Sequence, residues 1–114
     1  MPEAFEIPGG TMTWLMDDEI QPGVGISLAE MTLNMCETSE LHSHANCSEV
    51  VHVIEGKISL RIDDEWYLMS SGDQRLIPAK SAHQARNIGE KTAKMILVYS
   101  KGCLLYTSPS PRDS

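Results

Sequence analysis

Apolar and polar residues alternate along this chain in short runs, and no long stretch keeps a helical period. The clearest run is "KISLRID", where Ile58, Leu60 and Ile62 share one face and Ser59 and Arg61 the other, as a half-buried strand requires. The following "DDE" predicts a hairpin turn into "WYLMS". In "VGISLAEMTL" the apolar set Val24, Ile26 and Leu28 shifts phase to Ala29, Met31 and Leu33, which predicts a bulge or burial of both faces. Further strands are predicted at about 49–55, 73–77, 82–88 and 92–100. Gly, Pro, Asp-Asp and Ser-Ser punctuate these runs at a spacing of roughly ten residues, which favours an all-β sandwich or barrel.

Length and composition narrow this picture. The 114 residues suffice for one domain and one core. Hydrophobic residues are 41% and charged residues 22%, and no apolar run approaches the roughly 20 residues of a membrane helix, so a soluble protein without a membrane partner is expected. The start "MPEAFEIPGG" shows neither a basic n-region nor an apolar h-region, from which a cytoplasmic location is expected. A formal charge of -7 opposes nonspecific binding to nucleic acid or anionic lipid. Cys36, Cys47 and Cys103 have no Cys-x-x-Cys spacing, and free thiols are expected. The Ser-Pro-Ser-Pro segment of "CLLYTSPSPRDS" cannot sustain a hydrogen-bond ladder. The chain therefore divides into an N-terminal arm (1–10), a β-barrel domain (11–102) and a disordered or non-native tail (103–114).

Candidate chemistry concentrates in "LHSHANCSEV". On a strand, His42 and His44 would leave the same face and meet one ion. Glu49 has the opposite parity under regular extension, and a turn through "ANCS" would bring it back on the returning strand. A further ligand has to come from a neighbouring strand, and His83 in "GDQRLIPAKSAHQARN" is the candidate. His52, three residues after Glu49 and on the opposite face, is placed outside the site, on the outer surface or in a subunit contact. Cys47 lies between His44 and Glu49 and reads as a loop residue without a chemical task. Arg61, Arg75, Gln84 and Arg86 are weaker candidates for pairing a substrate carboxylate, and a solvated face explains them as well.

These residues resemble the two sequence motifs of the cupins. His42, Ser43, His44, Glu49 and Gly56 match the first motif at its spacings, and Gly72, Pro78, His83 and Asn87 match the second, with fifteen residues between Gly56 and Gly72. Cys36 stands where the first motif opens with glycine, and Lys80 where the second has the glycine of Pro-x-Gly. The turn at Lys80 therefore either avoids positive φ or accepts strain of about 1 kcal/mol. The resemblance implies an all-β, jelly-roll (double-stranded β-helix) barrel with a metal held inside one end by His42, His44, Glu49 and His83. It also implies a homodimer formed by strand exchange through residues 1–20.

Three imidazoles and one carboxylate suit Fe(II), Mn(II), Ni(II), Cu(II) or Zn(II), and an octahedral ion would keep two positions for water, substrate or dioxygen. The site would carry a charge near +1 and favour a small anionic chelator as substrate or ligand. The leading expectation is a metal-dependent, dioxygenase-like enzyme in which Glu49 also serves as a base. A redox-neutral isomerase, lyase or epimerase is the second, and a non-catalytic module for a sugar or organic acid the third.

Overall fold

The computed structural model describes residues 3–100. Nine strands run through them: β1 (Phe5–Ile7), β2 (Gly10–Met16), β3 (Ser27–Leu33), β4 (Glu49–Glu55), β5 (Lys57–Ile62), β6 (Glu65–Ser70), β7 (Gln74–Ile77), β8 (His83–Asn87) and β9 (Ala93–Tyr99). They form a six-stranded sheet of order β1-β2-β3-β9-β4-β7 and a three-stranded sheet of order β6-β5-β8. Every pairing is antiparallel, and the two sheets enclose the core as a jelly roll. Among the described residues no helix is long and apolar enough to cross a membrane.

Strict alternation produces this core. In β3 and β9 every second residue is buried: Ser27, Ala29, Met31 and Leu33, then Ala93, Met95, Leu97 and Tyr99. Ile58 and Leu60 of β5 meet them from the small sheet, together with Met69 and Ala85. Leu33, Ile58, Leu60, Ile77, Met95 and Val53 are the largest fully buried side chains. Each contributes on the order of 1.5–3 kcal/mol relative to exposure. The phase change noted in "VGISLAEMTL" has a simple origin. Strand β3 begins only at Ser27, so Val24 and Ile26 precede it, while the register irregularity lies on the partner strand between Trp14 and Met16. Residues 5–7, within the stretch read as an arm, pair with β2 of the same chain. The tail 103–114 lies outside the described residues.

All four positions at which the cupin pattern has glycine adopt a left-handed backbone. Gly56 and Gly72 have φ of 88° and 95°, and the two substituted positions, Cys36 and Lys80, have φ of 67° and 72°. At Gly56 a Cβ would also stand 3.0 Å from Ala93 Cα, so glycine there serves both conformation and close approach. Lys80 thus accepts positive φ rather than avoiding it. Asn87, the last residue of the second motif, is a structural clamp. Its amide nitrogen donates to the Leu33 and Lys91 carbonyls at 2.9 and 2.8 Å, and its oxygen accepts from Gly89 N at 2.9 Å.

Candidate metal centre

One end of the barrel brings the motif histidines together. The chain from 37 to 42 runs beside β8 without completing a strand. Ser39 N donates to Ala85 O, Asn87 N donates to Glu37 O, and His42 and His83 exchange main-chain hydrogen bonds of 3.1 and 2.8 Å. Antiparallel partners point to the same face, so this bridge sets the His42 and His83 imidazoles side by side, with ring centroids 4.3 Å apart. The regular strand expected through both His42 and His44 does not form. Only His42 bridges, the chain bends at residues 45 and 46, and Lys80 N holds the His44 carbonyl at 2.7 Å. The bend has the consequence expected of the "ANCS" turn: β4 starts at Glu49 with its carboxylate inside the barrel.

The geometry is compact. The ligand atoms of His42, His44 and His83 lie within 4.8 Å of one another, an arrangement able to hold a metal ion. Glu49 Oε1 lies 3.3 Å from His44 Nε2 and 3.3 Å from His83 Nε2. Glu49 and His83 are each 4% exposed and His44 9%, while His42 is half-buried. His42 Nδ1 donates to Glu40 O at 2.9 Å and His83 Nδ1 to Ser81 O at 3.1 Å. A carbonyl can only accept, so each bond fixes the proton on Nδ1 and turns the Nε2 lone pair inward.

The electrostatics fit a cation. Burial pushes the Glu49 carboxyl up, but His44 and His83 outweigh it and hold its pKa down to about 2. Burial lowers His83, and the facing Glu49 carboxylate more than reverses this, so its net shift is upward. His42 is lowered, chiefly by burial. Apart from the 3.3 Å contacts of Glu49 with His44 and His83, the buried atoms His44 Nδ1 and Nε2, Glu49 Oε1 and His83 Nε2 have no hydrogen-bond partner. Buried acceptors left unpaired are costly, and a shared divalent cation would satisfy the convergent lone pairs together.

The remaining sequence candidates lie elsewhere. His52 is on the outer face of the large sheet, its Nδ1 3.1 Å from Gln74 Oε1. Arg61 donates to Asp63 O at 2.7 Å beside its own hairpin turn. Arg75 stacks on Tyr67 at 3.8 Å, Arg86 lies 5.7 Å over Trp66, and Gln84 Nε2 donates to Ser39 O. Cys36 is free and exposed, whereas Cys47 is buried and disulfide-bonded, which corrects the free-thiol expectation at that residue. Cys103 lies outside the described residues.

Two aromatic residues beside the site carry no motif: Tyr99, which the sequence does not single out, and Trp14, which it suggests only as core or a dimer contact. Tyr99, 4% exposed, pairs in register with both Glu49 and Ser27, and its ring stands edge-on to His44 at 5.6 Å and 90°. Trp14 packs against Tyr99 at 5.7 Å. Burial and the nearby Glu49 charge push the Tyr99 phenol well above its ordinary range, so it stays protonated. No local motif marks either residue, and the cross-strand register was the one signal that could have.

Comparison with known proteins bears on the family and the fold. Residues 29–99 match the family model of the cupin domain. An uncharacterized protein of Methanocaldococcus jannaschii is 31% identical over 106 residues, which are 93% of this chain and 80% of that protein. A quercetin 2,3-dioxygenase of Bacillus subtilis is 40% identical over 52 residues, 46% of this chain and 15% of the dioxygenase. A crystal structure from Thermotoga maritima, described as a predicted oxalate decarboxylase, superposes with a TM-score of 0.76 at 20% identity, covering 89% of this chain and 92% of that one.

Proposed function

The chain belongs to the cupin domain family, and from that premise we propose a metal-dependent enzyme that acts on a small polar or anionic molecule through a centre held by His42, His44, His83 and Glu49. The observation that carries this reading is the convergence of three imidazoles and one buried carboxylate, with Glu49 Oε1 3.3 Å from two of the imidazole nitrogens and no other partner for these facing atoms. The bound ion, Fe(II), Mn(II), Ni(II), Cu(II) or Zn(II), would chelate and polarise the substrate and, if ferrous, bind dioxygen for insertion into it.

The protein's own residues have separable tasks in this reading. His42 and His83 present fixed Nε2 lone pairs because the Glu40 and Ser81 carbonyls hold their Nδ1 protons. Glu49 remains ionised and balances half the charge of a divalent cation. Glu49 would also be the carboxylate available to take a proton from substrate. Trp14, Tyr99 and Ile77 supply buried apolar surface beside the site and limit its access to water.

Dioxygenase-like chemistry is the first reading, and the local identity to a quercetin dioxygenase supports it. A redox-neutral reaction at the same centre, that of an isomerase, lyase or epimerase, is the second. Substrate turnover measured with and without oxygen, on protein loaded in turn with iron and manganese, separates them. Turnover that requires oxygen supports the first, and turnover that ignores it supports the second.

A second copy of the chain is the proposed protein partner. Registered neighbours share a face, and the row Met16, Leu28, Val98, Val50 and Leu76 crosses five strands on the outside of the large sheet. In the adjacent row, Glu30 and His52 flank Ile96. A two-fold axis along β9 lays the apolar row on its own copy and sets Glu30 against His52 of the partner subunit. Hydrophobic and charge complementarity thus point to the same occupant.

A further inference from the structure

The three imidazoles are oriented by different means. His42 and His83 each bond to the carbonyl two residues earlier in the chain, Glu40 O at 2.9 Å and Ser81 O at 3.1 Å. The equivalent carbonyl for His44 belongs to His42; it accepts His83 N at 2.8 Å in the bridge and takes no bond from the His44 ring. His44 Nδ1 is accordingly buried without a hydrogen-bond partner. The ring lies among His42 at 4.9 Å, His83 at 5.2 Å and Tyr99, edge-on at 5.6 Å and 90°, with Glu49 Oε1 3.3 Å from its Nε2; of these, Tyr99 alone is not itself a candidate ligand.

We propose that Tyr99 is the positioning residue for His44, an aromatic wall that does for this imidazole what a main-chain carbonyl does for the other two. Tyr99 is well suited to that task. Main-chain pairing with Ser27 on one side and Glu49 on the other fixes its backbone, and Trp14 backs its ring at 5.7 Å. An edge-to-face contact restricts rotation of the imidazole about its Cβ–Cγ bond while leaving both ring nitrogens chemically available. His44 is therefore the least firmly fixed of the three histidines, and the shape of Tyr99 governs how well the set closes on an ion. This inference rests on the metal-centre reading above.

Two measurements test it. The first compares Cu(II) affinity, by chelator competition, with the number of coordinating nitrogens counted from electron paramagnetic resonance, across the parent, Tyr99→Phe, Tyr99→Leu and His44→Ala. Tyr99→Phe keeps the ring and should keep the parental affinity and nitrogen count. Tyr99→Leu should weaken binding by about 10–100-fold, the range seen when groups that orient metal ligands are lost, and drop one nitrogen. Parental behaviour in Tyr99→Leu, with weakened binding in His44→Ala, overturns the role of Tyr99 and leaves the metal centre standing. Parental behaviour in His44→Ala overturns the metal centre itself. The second measurement needs no variant: imidazole nitrogen NMR of metal-free protein should show His42 with its proton on Nδ1 and His44 without that preference. A His44 locked with its proton on Nδ1 would mean that a hydrogen bond orients it, and would also overturn the proposal.

Discussion

His42 and His83, forty-one residues apart in sequence, are direct neighbours through a two-bond main-chain bridge of 3.1 and 2.8 Å. The bridge makes one half of the candidate centre a property of the backbone. Two imidazoles from different motifs point the same way because their residues are antiparallel partners, and each is then oriented by the carbonyl two positions before it. Glu49 enters from the opposite sheet, and His44 from the bend between them.

Cys36→Gly and Lys80→Gly should each stabilise the protein. Both residues hold a left-handed backbone, φ 67° and 72°, where a side chain costs about 1–2 kcal/mol and glycine's extra freedom in the unfolded chain returns part of the gain. A net rise of about 0.5–1 kcal/mol, or roughly 2–8 °C in thermal midpoint, is expected for each by calorimetry. Lys80→Ala should give no such rise, because alanine keeps the Cβ. Equal gains from Ala and Gly would show that backbone conformation is not the cause.

Acid should weaken the metal-free fold through Glu49. Its pKa falls from 4.5 to about 2 on folding, so its contribution is complete above pH 4.5 and is lost as pH drops toward 2. The shift corresponds to on the order of 3 kcal/mol. His83 acts in the other direction. Its pKa is raised above 6.5, so its share is present below that pH and is lost as pH climbs through the raised value. Urea unfolding across this range should find the pair most stabilising between about pH 4.5 and 6.5, and Glu49→Gln should flatten both limbs. With metal bound, protons compete for the same nitrogens, and the ion should leave as pH falls through about 6.

Leu28→Lys should convert a dimer to monomer without unfolding it. Leu28 is outward-facing and half-buried in the single chain, so a lysine there is tolerated until a partner's Val50 covers it. Sedimentation equilibrium at micromolar concentration reads the change. Glu30→Lys and His52→Glu should each weaken association, and the double variant should restore it. A dimer indifferent to all of these would place the interface elsewhere.

Much of this was legible in the sequence because it depends on local pattern. Strands β4, β5, β7, β8 and β9 follow from alternation and turn residues, and the motif spacing picked out the four residues that the fold brings together. What stayed hidden depends on register between strands distant in sequence. Tyr99 ends an ordinary alternating strand, and nothing within that strand reveals that it faces Glu49 and His44. The start of β3 is not marked in the sequence, because Val24 and Ile26 continue an apolar alternation ahead of the strand, at positions that sequence alone cannot distinguish from paired ones. The disulfide state of Cys47 is not legible because the lack of a Cys-x-x-Cys spacing does not exclude a bond.

The central claim is that His42, His44, His83 and Glu49 hold a metal ion, and elemental analysis tests it most directly. The full chain, purified anaerobically without a histidine tag, is compared with His83→Ala, the double variant His42→Ala with His44→Ala, and His52→Ala as control. Near-stoichiometric metal in the parent and in His52→Ala, with loss in the other two and circular dichroism still showing β structure, is the predicted result. A parent that takes up no metal even after reconstitution, or a His83→Ala variant that keeps the parental amount, would contradict it.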